Sequence, residues 1–328
     1  MGAYVVKRIL YMIPTLIGMS VIAFLIIQLP PGDYVTSMIA SMQESGANVD
    51  PAQVDRLREI YGFNDPVLVQ YWKWISGILL RGDFGFSFEW NRPVADLIWE
   101  RMGSTLAISL ASLLFVWAVS LPIGIYSAMR RHSVGDYAFT FLGFIGLAVP
   151  NFILALTLMY MSYRYFGQSV GGLYSPEYVD APWSWAKAGD LALHLWIPIV
   201  VIGTSGTAAL IRILRANLTD ELNKPYVVTA RAKGLPERRA VLKYPVRVAL
   251  NPFVSAIGWV LPELVSGVTI TAIVLNLPTA GPLLLRALIS QDMYLAGSFI
   301  LLMGVLTLVG MLVSDILLAL LDPRIRFN

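Results

Sequence analysis

Two carboxylates stand inside stretches that otherwise carry no charge. Glu263 lies near the middle of the apolar run from Asn251 to Leu275, and Asp315 lies late in the run from Tyr294 to Leu321. An acid at a bilayer centre costs roughly 2.5–3.5 kcal/mol on insertion scales, so neither should face lipid. Each is therefore a candidate to line a pathway, or to be held protonated or paired for structure. Other chemistry is missing. No Gly-x-x-x-x-Gly-Lys-Ser/Thr phosphate loop occurs, so the chain is not expected to hydrolyse ATP. There is no His-Glu-x-x-His, and two histidines without cysteine argue against a zinc site or any other metal centre. Gly203-Thr204-Ser205-Gly206-Thr207 falls short of a Gly-x-Ser-x-Gly nucleophile elbow; inside an apolar run such small residues read as helix packing. A catalytic site and a bound cofactor are not expected in this chain.

The elements that must position those acids are membrane spans. Apolar residues make up 57% of the 328 and charged residues 14%, with a mean hydropathy of +0.67; soluble domains average roughly 45–50% and about 25%. A hydrocarbon core of roughly 30 Å needs about 20 helical residues. Six runs meet that length: Ile9–Leu29, Thr105–Met129, Tyr137–Tyr163, Leu191–Ile211, Asn251–Leu275 and Tyr294–Leu321. Backbone groups in lipid must be satisfied within the segment, so an all-α membrane protein of about six transmembrane helices is expected. The first run is longer than a signal-peptide core and lacks a small-x-small cleavage site after it, so it reads as a retained span. His194 is placed to snorkel near the outer end of its span and has no assigned role.

Charge gives the orientation. Fifteen Lys and Arg fall on one side, nine of them in residues 212–250, against nine on the other side. The positive-inside rule then puts both termini in the cytoplasm. Three segments follow: an N-terminal segment with the first span (1–29), an extracytoplasmic helical insertion (30–103) and a five-span core (104–328) containing a cytoplasmic loop (212–250). In the insertion, Asp50, Pro51 and Gly62 have the chemistry of helix cap, first turn and stop. Tyr71, Trp72, Trp74, Phe84, Phe86, Phe88 and Trp90 suit an interfacial belt with a small core, or a surface receiving a delivery protein. No basic arm or aromatic signature for nucleic acid is present.

The cytoplasmic loop reads either as a solvated orientation signal or as a docking surface. Pro225 can start a short helix, Gly234 can end it, and Pro236-Glu237 can start another. On that helix Tyr226, Thr229, Ala230 and Lys233 share a face, and the small Ala230 and Ala232 let another surface approach.

Tyr226-Val227-Val228-Thr229-Ala230-Arg231-Ala232-Lys233-Gly234-Leu235 resembles the cytoplasmic coupling motif of permeases in the dipeptide/oligopeptide/nickel family of bacterial ABC importers. Further resemblances run along nearly the whole chain. They are Pro31-Gly32-Asp33, Tyr61-Gly62 with Gln70-Tyr71, Arg81-Gly82-Asp83-Phe84-Gly85-Phe86-Ser87 and Leu321-Asp322-Pro323-Arg324-Ile325-Arg326. The resemblance implies a multi-pass inner-membrane permease subunit. A sister permease would complete the pathway, an extracytoplasmic binding protein would deliver the solute, and two ATPase subunits would bind ATP and Mg. Tyr226 to Leu235 would be the helix seated in the ATPase. Asp315 matches an acidic position of the family near the end of the last span, which favours structure or subunit packing. One departure concerns cargo: Ala272 stands where many members have a glutamate. That weighs toward a neutral oligosaccharide against a charged peptide or metal, while family frequency keeps peptide slightly ahead. The rival reading is a self-sufficient secondary transporter or channel, which should carry its own coupling groups or an internal repeat. No repeat is visible.

Overall fold

The computed structural model describes residues 2–28, 35–36, 39, 56, 58–59, 64–168, 170–257 and 268–321. Helices dominate: α1 (Gly2–Gln28), α2 (Val67–Arg81), α3 (Val94–Met129), α4 (Val134–Ala148), α5 (Asn151–Phe166), α6 (Trp185–Leu222), α7 (Pro225–Ala232), α8 (Glu237–Lys243), α9 (Pro245–Ala249), α10 (Thr269–Val274), α11 (Ala280–Ile289) and α12 (Met293–Leu321). Residues 251–257 are also helical. A two-stranded antiparallel ribbon pairs β1 (Phe86–Ser87) with β2 (Arg92–Pro93).

Among the described residues four helices, α1, α3, α6 and α12, are long and apolar enough to cross a bilayer. The run Tyr137–Tyr163, expected as one span, is two helices, α4 and α5, bent by 102° and together long and apolar enough for one broken span. Pro150 explains the break. Its ring disfavours helical geometry in the residue before it, and Val149 accordingly takes φ −84°, ψ 120°. The fifth run is helical at residues 251–257 and in α10, while 258–267, with Glu263, lie outside the described residues. So do Pro31-Gly32-Asp33, most of the stretch Asp50–Gly62, and residues 322–328.

The chain forms two compact units, residues 1–5, 105–278 and 309–328 in the first, residues 6–104 and 279–308 in the second. In the first, close-approach glycines set the helix packing. A Cβ on Gly203 would stand 2.5 Å from Phe115, one on Gly146 2.7 Å from Thr204, and one on Gly124 2.7 Å from Leu214. The Gly203–Thr207 stretch is thus a packing seam of α6 against α3 and α4, as its small residues suggested. Gly203→Leu is expected to cost about 1–3 kcal/mol or more by forcing α3 and α6 apart, read as a lower melting temperature of the purified chain in detergent. His194 does not snorkel. It is buried, and its Nδ1 lies 2.8 Å from the backbone oxygen of Asp190, which satisfies the ring within its own helix.

The second unit is pinned around Asp292, in the turn before the last span. Its buried carboxylate accepts the Ser87 hydroxyl at 2.5 Å and the amides of Glu89 and Leu295 at 3.3 Å. Trp74 Nε1 donates to Ser298, and Ser298 donates to the Phe84 carbonyl. Gly85, at φ +88°, lies against the Tyr294 ring, where a Cβ would stand 2.8 Å away. Arg81–Ser87 is therefore a fold motif: its glycines and serine seat the ribbon on α12. Burial raises the Asp292 carboxyl above the ordinary aspartate range, with its donors opposing the shift. A raised folded value means stability that is full below the unfolded pKa and declines as pH rises through the folded one. Ser87→Ala removes one donor, so it is expected to cost about 1–3 kcal/mol and to enlarge that pH dependence in melts between pH 4 and about 7.

Candidate functional site

The loop after Ile211 is mostly helix. Nothing between Ile199 and Leu222 breaks α6, so it carries its register past the expected end of the span. Its 38 residues reach about 57 Å, roughly twice a hydrocarbon core. Asn223 and Pro225 then stop it. Lys224, driven extended by the following proline (φ −72°, ψ 147°), caps α7, and Pro225 takes the first helical position. At the other end Gly234 is left-handed (φ +81°). Its N–H donates to the Arg231 carbonyl at 2.9 Å, and that of Leu235 to Ala230 at 3.3 Å. This is a Schellman closure, so both ends of α7 are fixed by local chemistry.

Side chains then tie α7 to its neighbours. The Tyr226 hydroxyl donates to Glu221 at the end of α6, and partial desolvation of the ring's hydroxyl end together with this bond holds the phenol well above its ordinary pKa. Arg231 grips Glu237 of α8 through Nε at 2.8 Å and Nη2 at 2.6 Å, which holds the Glu237 carboxyl below its usual range. The pair is exposed and contributes less than about 1 kcal/mol; its effect is to fix geometry. Beneath it, Val241 of α8, Val246 and Ala249 of α9 and Phe253 pack on Leu210, Leu214 and Leu218 of α6 and Val116 of α3. Arg215 of α6 reaches Asp136 of α4 at 2.8 Å, and Asp136 also accepts the His132 amide at 2.9 Å. Packed side chains and ion pairs thus join α7, through α8, to α3, α4 and α6.

The helix presents one face outward. Tyr226, Val228, Thr229, Ala232 and Lys233 are exposed, with Val228 at 55%. Val227 and Ala230 are buried in the chain's own interior. The expected face of Tyr226, Thr229, Ala230 and Lys233 is thus divided: Ala230 is buried, its carbonyl taken by the Leu235 amide of the Schellman turn. Asp315 lies half-buried on α12, beside Ser314, whose hydroxyl donates to the Val254 carbonyl at 2.9 Å. Ala272 is buried with Ala155, Val170, Ile197 and Leu275 in an apolar core. Among the described residues no group of three or more His, Asp or Glu side chains could hold a metal.

Sequence reasoning missed Asp136–Arg215 and Ser87–Asp292. The first had a signal in Ser133-x-x-Asp136, a capping signature before an apolar run; Ser133 Oγ does accept the Asp136 amide at 3.2 Å.

Residues 120–327 match the family model of the binding-protein-dependent transport system inner membrane component, and residues 1–109 match that of the N-terminal part of such membrane components. The chain belongs to this family. It is 36% identical over 329 residues to the oligopeptide transport system permease protein AppB of Bacillus subtilis, covering all of both chains. It is 32% identical over 325 residues to a putative peptide permease protein of Brucella ovis, with 98% of each chain covered. The glutathione transport system permease protein GsiC of Escherichia coli K12 is 32% identical over 327 residues, with 99% of each covered. This family member is a multi-pass inner-membrane permease subunit of an ABC-type importer, not a catalytic subunit.

Proposed function

We propose that this permease forms, with a second homologous permease, a pathway for peptides delivered by an extracytoplasmic binding protein, and that α7 docks an ATPase subunit. Two such subunits, one per permease, bind ATP and Mg, and both termini of this chain lie in the cytoplasm. The observation that carries the reading is α7 itself: a helix of 8 residues, closed at both ends, tied to α6 and α8, with Val228 and Lys233 facing outward. Such an element transmits a rigid-body displacement that a floppy loop would absorb. Asp315 is a packing residue in this scheme, because its neighbour Ser314 fastens α12 to the helix at residues 251–257. Glu263 is kept as a pathway or structural candidate from its place in the sequence.

For cargo, the relatives' names point to peptides: oligopeptide for AppB, peptide for the Brucella protein, glutathione for GsiC. None of these names an oligosaccharide. The alanine at 272 also loses its weight as a hint of neutral cargo, since its side chain packs into the apolar core. The test is purification of the complex from its native membrane, followed by ligand binding to the co-purifying soluble protein. Peptide retention and ATP-dependent uptake in liposomes are expected. Uptake by this chain without an ATPase, or a binding protein that retains sugars only, would contradict the reading.

A further inference from the structure

The helix α2, counted from sequence within the extracytoplasmic insertion, carries four large side chains that are mostly uncovered. Leu68, Trp72 and Leu79 are 81%, 69% and 75% exposed and fall on one side of the helix, while Leu80, 82% exposed, lies on the flank beside Lys73. Its 15 residues span only about 22 Å, too short to cross a bilayer.

We propose that α2 lies in the outer-leaflet interface of the membrane, with Leu68, Trp72 and Leu79 turned into lipid. Three observations within the second unit carry this. The first is depth. The inner face of α2 packs on α1, where the Tyr71 and Ser20 hydroxyls are 2.8 Å apart and Trp74 stacks on Phe24 at 6.0 Å between centroids. Farther along α1, Ile22, Leu25 and Ile26 are still exposed apolar residues. The apolar surroundings of α1 thus extend about 9 Å beyond Ser20, and α2 is fastened inside that zone. The second is polarity. Lys73 and Arg81, on the side of α2 away from Leu68 and Trp72, are exposed, and Lys73 pairs with Asp65 at 2.5 Å. One side of the helix therefore suits water and the other acyl chains, the pattern of an in-plane amphipathic helix with an interfacial tryptophan. The third is permanence. A soluble partner that binds and leaves would return the three side chains to water in every cycle, whereas the bilayer covers them throughout. Assignment to the outer leaflet rests on the charge-derived orientation; the lipid contact does not.

The chain contains no cysteine, so single labels can be placed without background. Leu68→Cys, Trp72→Cys and Leu79→Cys, each spin-labelled in the full-length chain with its co-purifying partners, are reconstituted in liposomes of phosphatidylethanolamine and phosphatidylglycerol. Collisional access by oxygen is expected to exceed that by a neutral nickel chelate several-fold at all three sites, matching Ile17→Cys on the exposed face of α1. Greater access by the nickel chelate would put the face in water and overturn the proposal. A label immobile and closed to both would do the same by showing a protein partner. Asp83→Cys reports the leaflet: reaction with an impermeant thiol reagent from outside is expected, and reaction from inside only would overturn the outer-leaflet assignment.

Discussion

Val228→Glu is expected to abolish ATP-driven uptake while the chain still inserts and melts at the wild-type temperature. Val228 is the largest aliphatic side chain exposed on α7 and makes no hydrogen bond through its side chain, so its replacement leaves the interior formed by Val227 and Ala230 intact. In a desolvated ATPase groove the carboxylate would be buried without a partner. Disrupting a central interface residue typically costs about 2–4 kcal/mol, or roughly 30- to 900-fold in affinity. The measurement is co-purification of the ATPase alongside liposome uptake. Loss of both with an unchanged melt supports docking through this face, and unchanged uptake contradicts it. Ala230→Glu cannot serve as this test, because Ala230 is buried within the chain and the variant would injure the permease itself.

Arg215→Ala is expected to be among the most destabilising changes on the cytoplasmic side. Asp136 is 1% exposed and would keep only the neutral donors beside it, the His132 amide and the Ser127 hydroxyl. Removing one partner of a buried pair costs about 3–5 kcal/mol, and the lower end applies here because the Arg215 side chain keeps 31% of its surface. The double variant Asp136→Leu with Arg215→Ala should recover much of the loss, since no buried charge remains. Thermal melts in detergent of the two single variants and the double variant check this; a double variant no better than Arg215→Ala would contradict it.

The cytoplasmic module was legible because its stops are written in local backbone chemistry. Pro225, Gly234 and Pro236 act through φ restriction and the left-handed region, and none of these depends on distant residues. The division of α7 into an inner and an outer face was not legible, because burial of Val227 and Ala230 depends on how α7 packs against the rest of the chain. The bend between α4 and α5 shows a second limit. Pro14, Pro122 and Pro198 lie inside α1, α3 and α6 without ending them, whereas Pro150 breaks its run. Burial does not separate them: Pro198 is buried, but Pro14, Pro122 and Pro150 are all exposed, and nothing in the structure explains why only the last ends its helix. Hydropathy averages over such a break and reports one span. The ion pairs were hidden for a tertiary reason. Asp136 and Arg215 are 79 residues apart, and only the packing of α4 on α6 brings them together. The Ser133-x-x-Asp136 spacing marks Asp136 as a helix-start residue, but nothing in it points to Arg215.

The most direct measurement is a cross-link from a single cysteine. Val228→Cys in the cysteine-free chain, fitted with a short thiol-reactive photo-cross-linker in native membranes, should on illumination yield an adduct of this permease with an ATPase subunit, and the buried Val227→Cys should yield none. Adducts at exposed cytoplasmic control sites such as Lys243→Cys but none at Val228 would place the ATPase elsewhere and contradict docking through α7.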